Sequence, residues 1–315
     1  MRDRFVKTLI ELARKDEKIY LITGDLGFGV LRPYWEEFPD RFINVGIAEQ
    51  AMTGIAAGLA AEGNIVFTYS IGNFPTLRCL EQIRNDCAYP KANVKIVCVG
   101  GGFTYGALGM SHQATEDIAI LRALPEVSVM APADPKEAEF ITKEVYREKG
   151  TCYLRLGRGG SKRIYRGNSE EMKFGKAIEI YKGKDIYLFS TGEILQEAKT
   201  AVERLRKEGL DIGLASFPFI KPLDDDYIKT IAQKAQCIFT IEEHNVLGGF
   251  GSAVAETVGE LGGEKSKLIR IGIEDTYGKV VGGQDYLRNI YGLSAKKIFK
   301  RVFNESGKGS NKLYR

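Results

Sequence analysis

Three side chains stand where their type and setting permit chemistry. Glu49 opens a run of small residues, VGIAEQAMTGIAAGLAAEG (45–63). A carboxylate in a first helical turn suits the helix dipole, and a buried one can share a proton with a ligand nitrogen. Asp25 lies in GDLGFG (24–29), directly after the apolar run IYLIT (19–23). Open α/β sheets bind ligands at such strand ends, although an Asx turn accounts for an Asp there equally well. His112, in GMSHQATED (109–117), is one of two histidines. Imidazole donates to a developing alkoxide or carries a proton. The second, His244 in EEHN, reads as structural or interfacial. The five cysteines show neither CxxC nor metal-ligand spacing and read as buried, reduced thiols. GGFGSAV (248–254) offers a GxG after a strand, but lacks the third glycine and the ribose-binding acid of a dinucleotide fingerprint.

Positioning these groups requires a layered fold. Apolar strand-like runs at 19–23, 65–69, 94–100, 127–131 and 152–156 alternate with helical patterns at 3–15, 49–63, 74–88, 115–124 and from 135. A second set follows, with strands at 185–191, 211–217, 237–243 and 267–273 and helices near 193–208, 224–235, 250–261 and 294–303. The alternation predicts an α/β protein of two mainly parallel-sheet, three-layer domains. They span 1–160 and 176–304, with a polar, Gly-rich linker at 161–175 and a tail at 305–315. Gly54 and Gly58 inside the small-residue helix each cost on the order of 1 kcal/mol against Ala, which close packing at a helix or subunit contact would explain.

The 315 residues are 44% hydrophobic with a net charge of +4 and no long basic run, which argues against nucleic acid as a partner. No apolar run approaches the ~18 residues of a membrane span. The N-terminus, charged from its second residue, reads as an amphipathic helix and not a signal peptide, so a cytoplasmic location is expected.

At VGIAEQAMTGIAAGLA the sequence resembles the pyrimidine-binding domain of the transketolase family of thiamine-diphosphate enzymes. The likeness continues in the family's order through LEQIRND (80–86), SHQATEDIAILRALPEVSVMAPADPKE (111–137) and CYLRLGR (152–158). It then runs through FIKPLD (219–224) and EEHNVLGGFGSAVAE (242–256), so that it covers nearly the whole chain. The order of domains implied is a pyrimidine-binding domain followed by a transketolase C-terminal domain. The GDG motif of the family's diphosphate-binding domain is absent. The resemblance therefore implies the C-terminal subunit of a split enzyme. Its N-terminal partner would supply the diphosphate domain and most ligands to Mg²⁺ (or Ca²⁺ or Mn²⁺), with no metal ligand in this chain. The chain alone would be inactive, and two copies of each would form an α2β2 complex.

The resemblance also assigns roles. Glu49 matches the glutamate that bonds N1′ of the aminopyrimidine and favours its imino form. Asp25 and Leu26 match an Asp-Leu pair, the Asp near the cofactor and the apolar residue propping its bent shape. Phe74 takes the place of an aromatic on the pyrimidine, in a stretch whose aromatic pattern is displaced. His112 matches the histidine near the donor's oxygens. Arg158 and, at the loosely aligned terminus, Arg2 match residues that bind the substrate phosphate, a task suited to guanidinium. Three positions depart from the family: Leu108 stands near an Asp that contacts the donor, Gly100–Gly102 replace a phosphate-binding His, and Gly29 replaces a Ser. The expected activity is transfer of a two-carbon ketol unit from a ketose, expected to be phosphorylated, to an aldose. The alternatives are a 1-deoxy-D-xylulose-5-phosphate synthase-like or other thiamine-diphosphate subunit acting on a specialised sugar, a dinucleotide-binding dehydrogenase, and a non-catalytic assembly subunit.

Overall fold

The computed structural model describes residues 1–158, 163–165 and 172–306. The first sheet has seven strands, six of them parallel: β1 (Ile19–Thr23), β2 (Phe42–Asn44), β3 (Ile65–Ile71), β4 (Val94–Val99), β5 (Val127–Met130) and β6 (Thr151–Leu156). Their spatial order is β5-β6-β4-β3-β1-β2. The helices between them are α1 (Arg2–Ala13), α2 (Phe28–Glu37), α3 (Glu49–Ala61), the short α4 (Leu80–Gln82), α5 (Asp117–Ala123) and α6 (Pro135–Arg147). The second sheet holds β7 (Ile178–Tyr181), β8 (Ile186–Ser190), β9 (Ile212–Ser216), β11 (Cys237–Asn245) and β12 (Lys267–Ile273), in the order β12-β11-β8-β9-β7 with β7 antiparallel. Around it lie α7 (Leu195–Lys207), α8 (Asp225–Ala232), α9 (Phe250–Gly259), α10 (Gln284–Ile290) and α11 (Ala295–Glu305). One strand crosses between the two halves: β10 (Phe219–Lys221) pairs antiparallel with β5, Phe219 opposite Met130.

Continuous runs of β-branched residues make these strands suited to a sheet covered on both faces. Every residue of β4, β6, β8 and β9 is buried. Under the first sheet, Phe5 and Leu9 of α1 and Ile141 of α6 pack on Phe67 and Leu154. On its other face Met52 and Ala56 of α3 join a core that continues without a break to Phe189, Phe217 and Phe250 of the second half. Burying such a phenylalanine is worth about 1.5–3 kcal/mol, and here the gain belongs to both sheets at once.

Several elements carry weak sequence signals. In α2, Gly29 and an internal Pro33 obscure the helical period. β2 and β10 are three residues long, too short for an alternation to register. The stretch expected as a helix from 74 runs as successive turns to Cys79, turns α-helical at Leu80 and π-helical over Ile83–Ala88. Pro75 restrains Phe74 from the helical region, which delays the helix. The segment expected as a polar linker is partly buried: Ile164 is 6% exposed, and Phe174 stacks edge-on against Phe219 at 4.9 Å. Its remaining residues, 161–162 and 166–171, and the tail from 307 onward lie outside the described residues.

Asp134 and Glu137 hold that segment in place. Asp134 caps α6 by accepting the N–H groups of Lys136 and Glu137 at 2.8 and 3.0 Å, and its second oxygen accepts Ile164 N–H at 3.0 Å. Glu137 accepts hydrogen bonds from Ala133 N–H at 2.6 Å, Ser216 Oγ at 2.7 Å and the Tyr165 hydroxyl. Burial pushes its carboxyl up to about 7, against the pull of those three donors. A carboxyl raised in the folded state contributes stability that is present below its ordinary value near 4.5 and is lost as pH rises through about 7. Glu137→Gln is therefore expected to flatten the decline of Tm between pH 5 and 8. An unchanged pH profile of Tm in the variant would refute this.

Candidate functional site

The site begins where β1, β2 and β3 end. Thr23 closes β1, and at Gly24 a Cβ would already lie 3.4 Å from Glu49 Cγ. Asp25 adopts φ +57°, a conformation that Asp tolerates better than most residues. Asn44, the last residue of β2, fixes this turn. Its Oδ1 accepts Asp25 N–H at 2.9 Å and Gly46 N–H at 3.1 Å, and its Nδ2 donates to Asp25 Oδ1 at 3.2 Å. Asp25 is exposed, whereas Leu26 is half-buried against the core below the first sheet. The Leu26 carbonyl is held by the Thr23 hydroxyl at 3.1 Å.

Across this loop, Glu49 is 2% exposed. Its Oε2 accepts Arg78 Nη1 at 2.6 Å, which leaves Oε1 without a donor among the described residues. The Arg78 side chain is half-exposed, and its guanidinium lies 4.7 Å from the centroid of the Phe74 ring. Phe74 in turn meets His112 edge-on, with centroids 5.1 Å apart and planes at 75°. Three of the residues singled out in the sequence, Glu49, Phe74 and His112, thus form one row, with Arg78 as the link that sequence reading missed. Arg78 lies 29 positions beyond its partner in a run of turns, with no periodic signal to mark it. The row is close-set: at Gly72, φ +51°, a Cβ would lie 2.9 Å from the His112 carbonyl. Asn73 Nδ2 donates to the Gln113 carbonyl at 2.5 Å.

The loop of His112 also carries Tyr105, where the two arginines meet. Arg158 is exposed, with its guanidinium 6.0 Å from the Tyr105 ring, and Arg2 lies near enough to act on the Tyr105 phenol electrostatically. Burial pushes the Tyr105 phenol up although both arginines favour the phenolate. Arg2 also contacts Asp3, Nε to Oδ1 at 3.0 Å, so one of its faces is already engaged. Leu108 and Met110, between Tyr105 and His112, are 57% and 52% exposed. His244 is far more enclosed: its Nδ1 donates to the Asn245 carbonyl at 2.7 Å, and its Nε2 accepts Ala119 N–H at 3.3 Å. Burial pushes it down to about 4, so at neutral pH it is an uncharged structural bridge.

The row fits a flat nitrogenous ring. It offers a Glu49 carboxylate oxygen without a donor among the described residues, and that buried carboxylate is linked through Arg78 to an aromatic side chain. Nearby, Asn73 Oδ1 and both amide atoms of Gln113 are buried and unpartnered. No group of three or more His, Cys, Asp or Glu suited to a metal ion occurs among the described residues.

Residues 1–162 match the family model of the transketolase pyrimidine binding domain, and residues 175–298 that of the transketolase C-terminal domain. The chain belongs to the transketolase family. It is 42% identical to a putative transketolase C-terminal section of Methanocaldococcus jannaschii, over 98% of this chain and 96% of that one. It is 36% identical to one subunit of an apulose-4-phosphate transketolase of Phocaeicola vulgatus, over 95% of each. A solved structure described as a split gene transketolase in an inactive beta4 tetramer superposes with a TM-score of 0.85 at 34% identity, covering 96% of both chains. The fold and its domain order are therefore those of transketolases. The small-residue face of α3, expected at a helix or subunit contact, is not packed within this chain. At Gly54 and Gly58 a Cβ would meet nothing within 4 Å, and Ala51, Ile55 and Ala61 on the same side are exposed. No described helix is long and apolar enough to cross a membrane.

Proposed function

We propose that this chain is the C-terminal subunit of a split, cytoplasmic transketolase that transfers a two-carbon ketol unit from a phosphorylated ketose to an aldose. The observation that carries the reading is the buried Glu49 carboxylate, held through one oxygen by Arg78, whose guanidinium lies over Phe74 of the Phe74–His112 pair, while the other oxygen has no donor among the described residues. Thiamine diphosphate, when bound, supplies the carbon nucleophile and electron sink of the reaction. Glu49 Oε1 would share a proton with a ring nitrogen of the bound cofactor. Arg78 fixes the carboxylate's orientation through Oε2. Phe74 offers an apolar surface to the ring, and Leu26 supports it from the loop after β1. Asp25 stands at the same loop, exposed toward whatever covers it. His112 donates to a substrate oxygen. Arg158 and Arg2, gathered at Tyr105, bind the phosphate at the substrate's far end, where guanidinium is suited to bidentate contact.

A partner chain carries the diphosphate domain and holds Mg²⁺ or an equivalent divalent cation, and two copies of each chain assemble. Two facts support this: the chain spans nearly the whole length of relatives named as a section or a subunit, and the small-residue face of α3 stays open. The exposed Leu108, where the family carries an acid, favours a donor other than the common pentose phosphates.

Mixing decides the matter. The chain is co-expressed with the product of a neighbouring gene, and thiamine diphosphate and Mg²⁺ are added. Ketol transfer is expected from the mixture and from neither chain alone. Turnover by the purified chain in isolation would overturn the split reading. A stable, cofactor-binding complex that is inert toward every ketose phosphate tried would overturn the assigned substrate class.

A further inference from the structure

The His112 loop runs from Phe103 to Ala114, and its two stems cross-pair: Gly102 N–H donates to the Ala114 carbonyl at 2.8 Å, and Ala114 N–H to the Gly102 carbonyl at 3.1 Å. What secures these stems comes from the second half of the chain. Glu243, 4% exposed on β11, accepts Phe103 N–H at 2.7 Å through Oε1. Its Oε2 takes Arg288 Nε of α10 at 2.6 Å, and Gln284 Nε2 reaches Oε1 at 3.1 Å. The Glu243 backbone carbonyl accepts Arg155 Nη2 at 3.0 Å, and that same nitrogen donates to the Ala114 carbonyl at 2.7 Å. One residue therefore touches the first stem directly and the second through a single guanidinium nitrogen. The glycine run shows how tightly this is built. At Gly102, φ +61°, a Cβ would lie 2.6 Å from Glu243 Oε1, and at Gly101 it would lie 2.6 Å from Arg155. The glycines that replace the family's histidine here are thus accounted for by the anchor that packs on them.

We propose that Glu243 is a positioning residue, which sets the place of His112 from the C-terminal domain by clamping both stems of its loop. The carboxylate does this through charge as well as shape. It lies between a backbone N–H and the buried Arg288 guanidinium, and charge-assisted bonds of this kind are about twice as strong as neutral ones. Its loss leaves Phe103 N–H and Arg288 to find other partners, and the stem moves.

The proposal rests on reading His112 as a site residue, but its test does not require turnover. With two histidines in the chain, isotope-labelled histidine gives two imidazole signals, and His112→Asn assigns them. In full-length Glu243→Gln, a near-isostere, the His112 signal is expected to shift and broaden while the cooperative unfolding transition is retained. A folded variant whose His112 signal coincides with that of the parent chain overturns the proposal. If Glu243→Gln does not fold, Gln284→Ala, which removes only the outer partner of the carboxylate, decides it by the same signal. In the assembled enzyme kcat is expected to fall by up to about 100-fold, as misplacement of a reacting group by about 1 Å allows. Cofactor affinity should stay unchanged, because Glu49 stands at the start of α3, outside the His112 loop. Silence of parent and variant alike toward ketose phosphates would count against the proposed function and leave the imidazole signal to judge the anchor.

Discussion

Glu49→Gln is expected to lower ketol transfer by the assembled enzyme by about 10²–10⁴-fold, the range of a single general acid–base group. The substitution changes almost nothing else. Gln fills the same volume, and its amide oxygen can still accept from Arg78, which now donates at 2.6 Å. Because the Arg78 side chain is 45% exposed, its guanidinium rehydrates when the charge partner goes, and the stability change should stay below about 1 kcal/mol. What Gln cannot do is take up and return a proton at Oε1. The measurement is kcat for the two-chain mixture beside the Tm of this chain alone. Near-parental turnover would remove Glu49 from the chemistry, and a collapsed Tm would show that its role is to hold the fold.

Asp117→Ala is expected to have the largest effect on stability. Asp117 is fully buried at the start of α5. Its Oδ2 accepts Arg155 Nε at 2.7 Å and the Tyr153 hydroxyl at 2.5 Å. Deleting the carboxylate strands a guanidinium that is 6% exposed, with only the carbonyls of Ala114 and Glu243 as hydrogen-bond partners among the described residues. Removing one member of a buried pair costs about 3–5 kcal/mol, because an uncompensated charge stays inside. Urea unfolding of the chain measures this directly. A loss under about 1 kcal/mol would mean that the carbonyls suffice to hold Arg155. Asp117→Asn keeps an acceptor for Tyr153 and should fall between the two.

The architecture was largely legible because the strands of both halves are uninterrupted apolar runs, such as VKIVCV and IYLFS, separated by amphipathic helices. The antiparallel edges were not. β7 is half-exposed, and β10 is too brief to show a period. Around the site, the motif residues Glu49 and His112 could be picked out by local wording. The contact that joins them runs through Arg78 and Phe74, which stand in turns, and turns carry no repeating pattern. Asn44, which fixes the Asp25 turn, ends a strand that was itself unread. Likewise, His244 of the EEHN motif read as structural or interfacial, but nothing in a linear sequence shows that its neighbour, residue 243, reaches the backbone at 103. Long-range clamps of this sort depend on which sheet edges face each other, and that is settled only when both sheets are packed.

β10 has a consequence for how the protein comes into being. The parallel part of the first sheet ends at β5, and the strand that covers this edge belongs to residues 219–221, beyond β8 and β9 of the other sheet. During synthesis the chain emerges N-terminus first, so β5 and β6 are available long before their neighbour is made. For that interval β5 presents a bare row of amide and carbonyl groups, the feature that invites one nascent chain to pair with another. Ribosome stalling between residues 156 and 219 would therefore release a fragment prone to aggregation, although every strand of its parallel sheet is complete. Translation speed over that stretch is then a determinant of yield, and a gene recoded with slow codons there should give more insoluble product than the same recoding placed after residue 221.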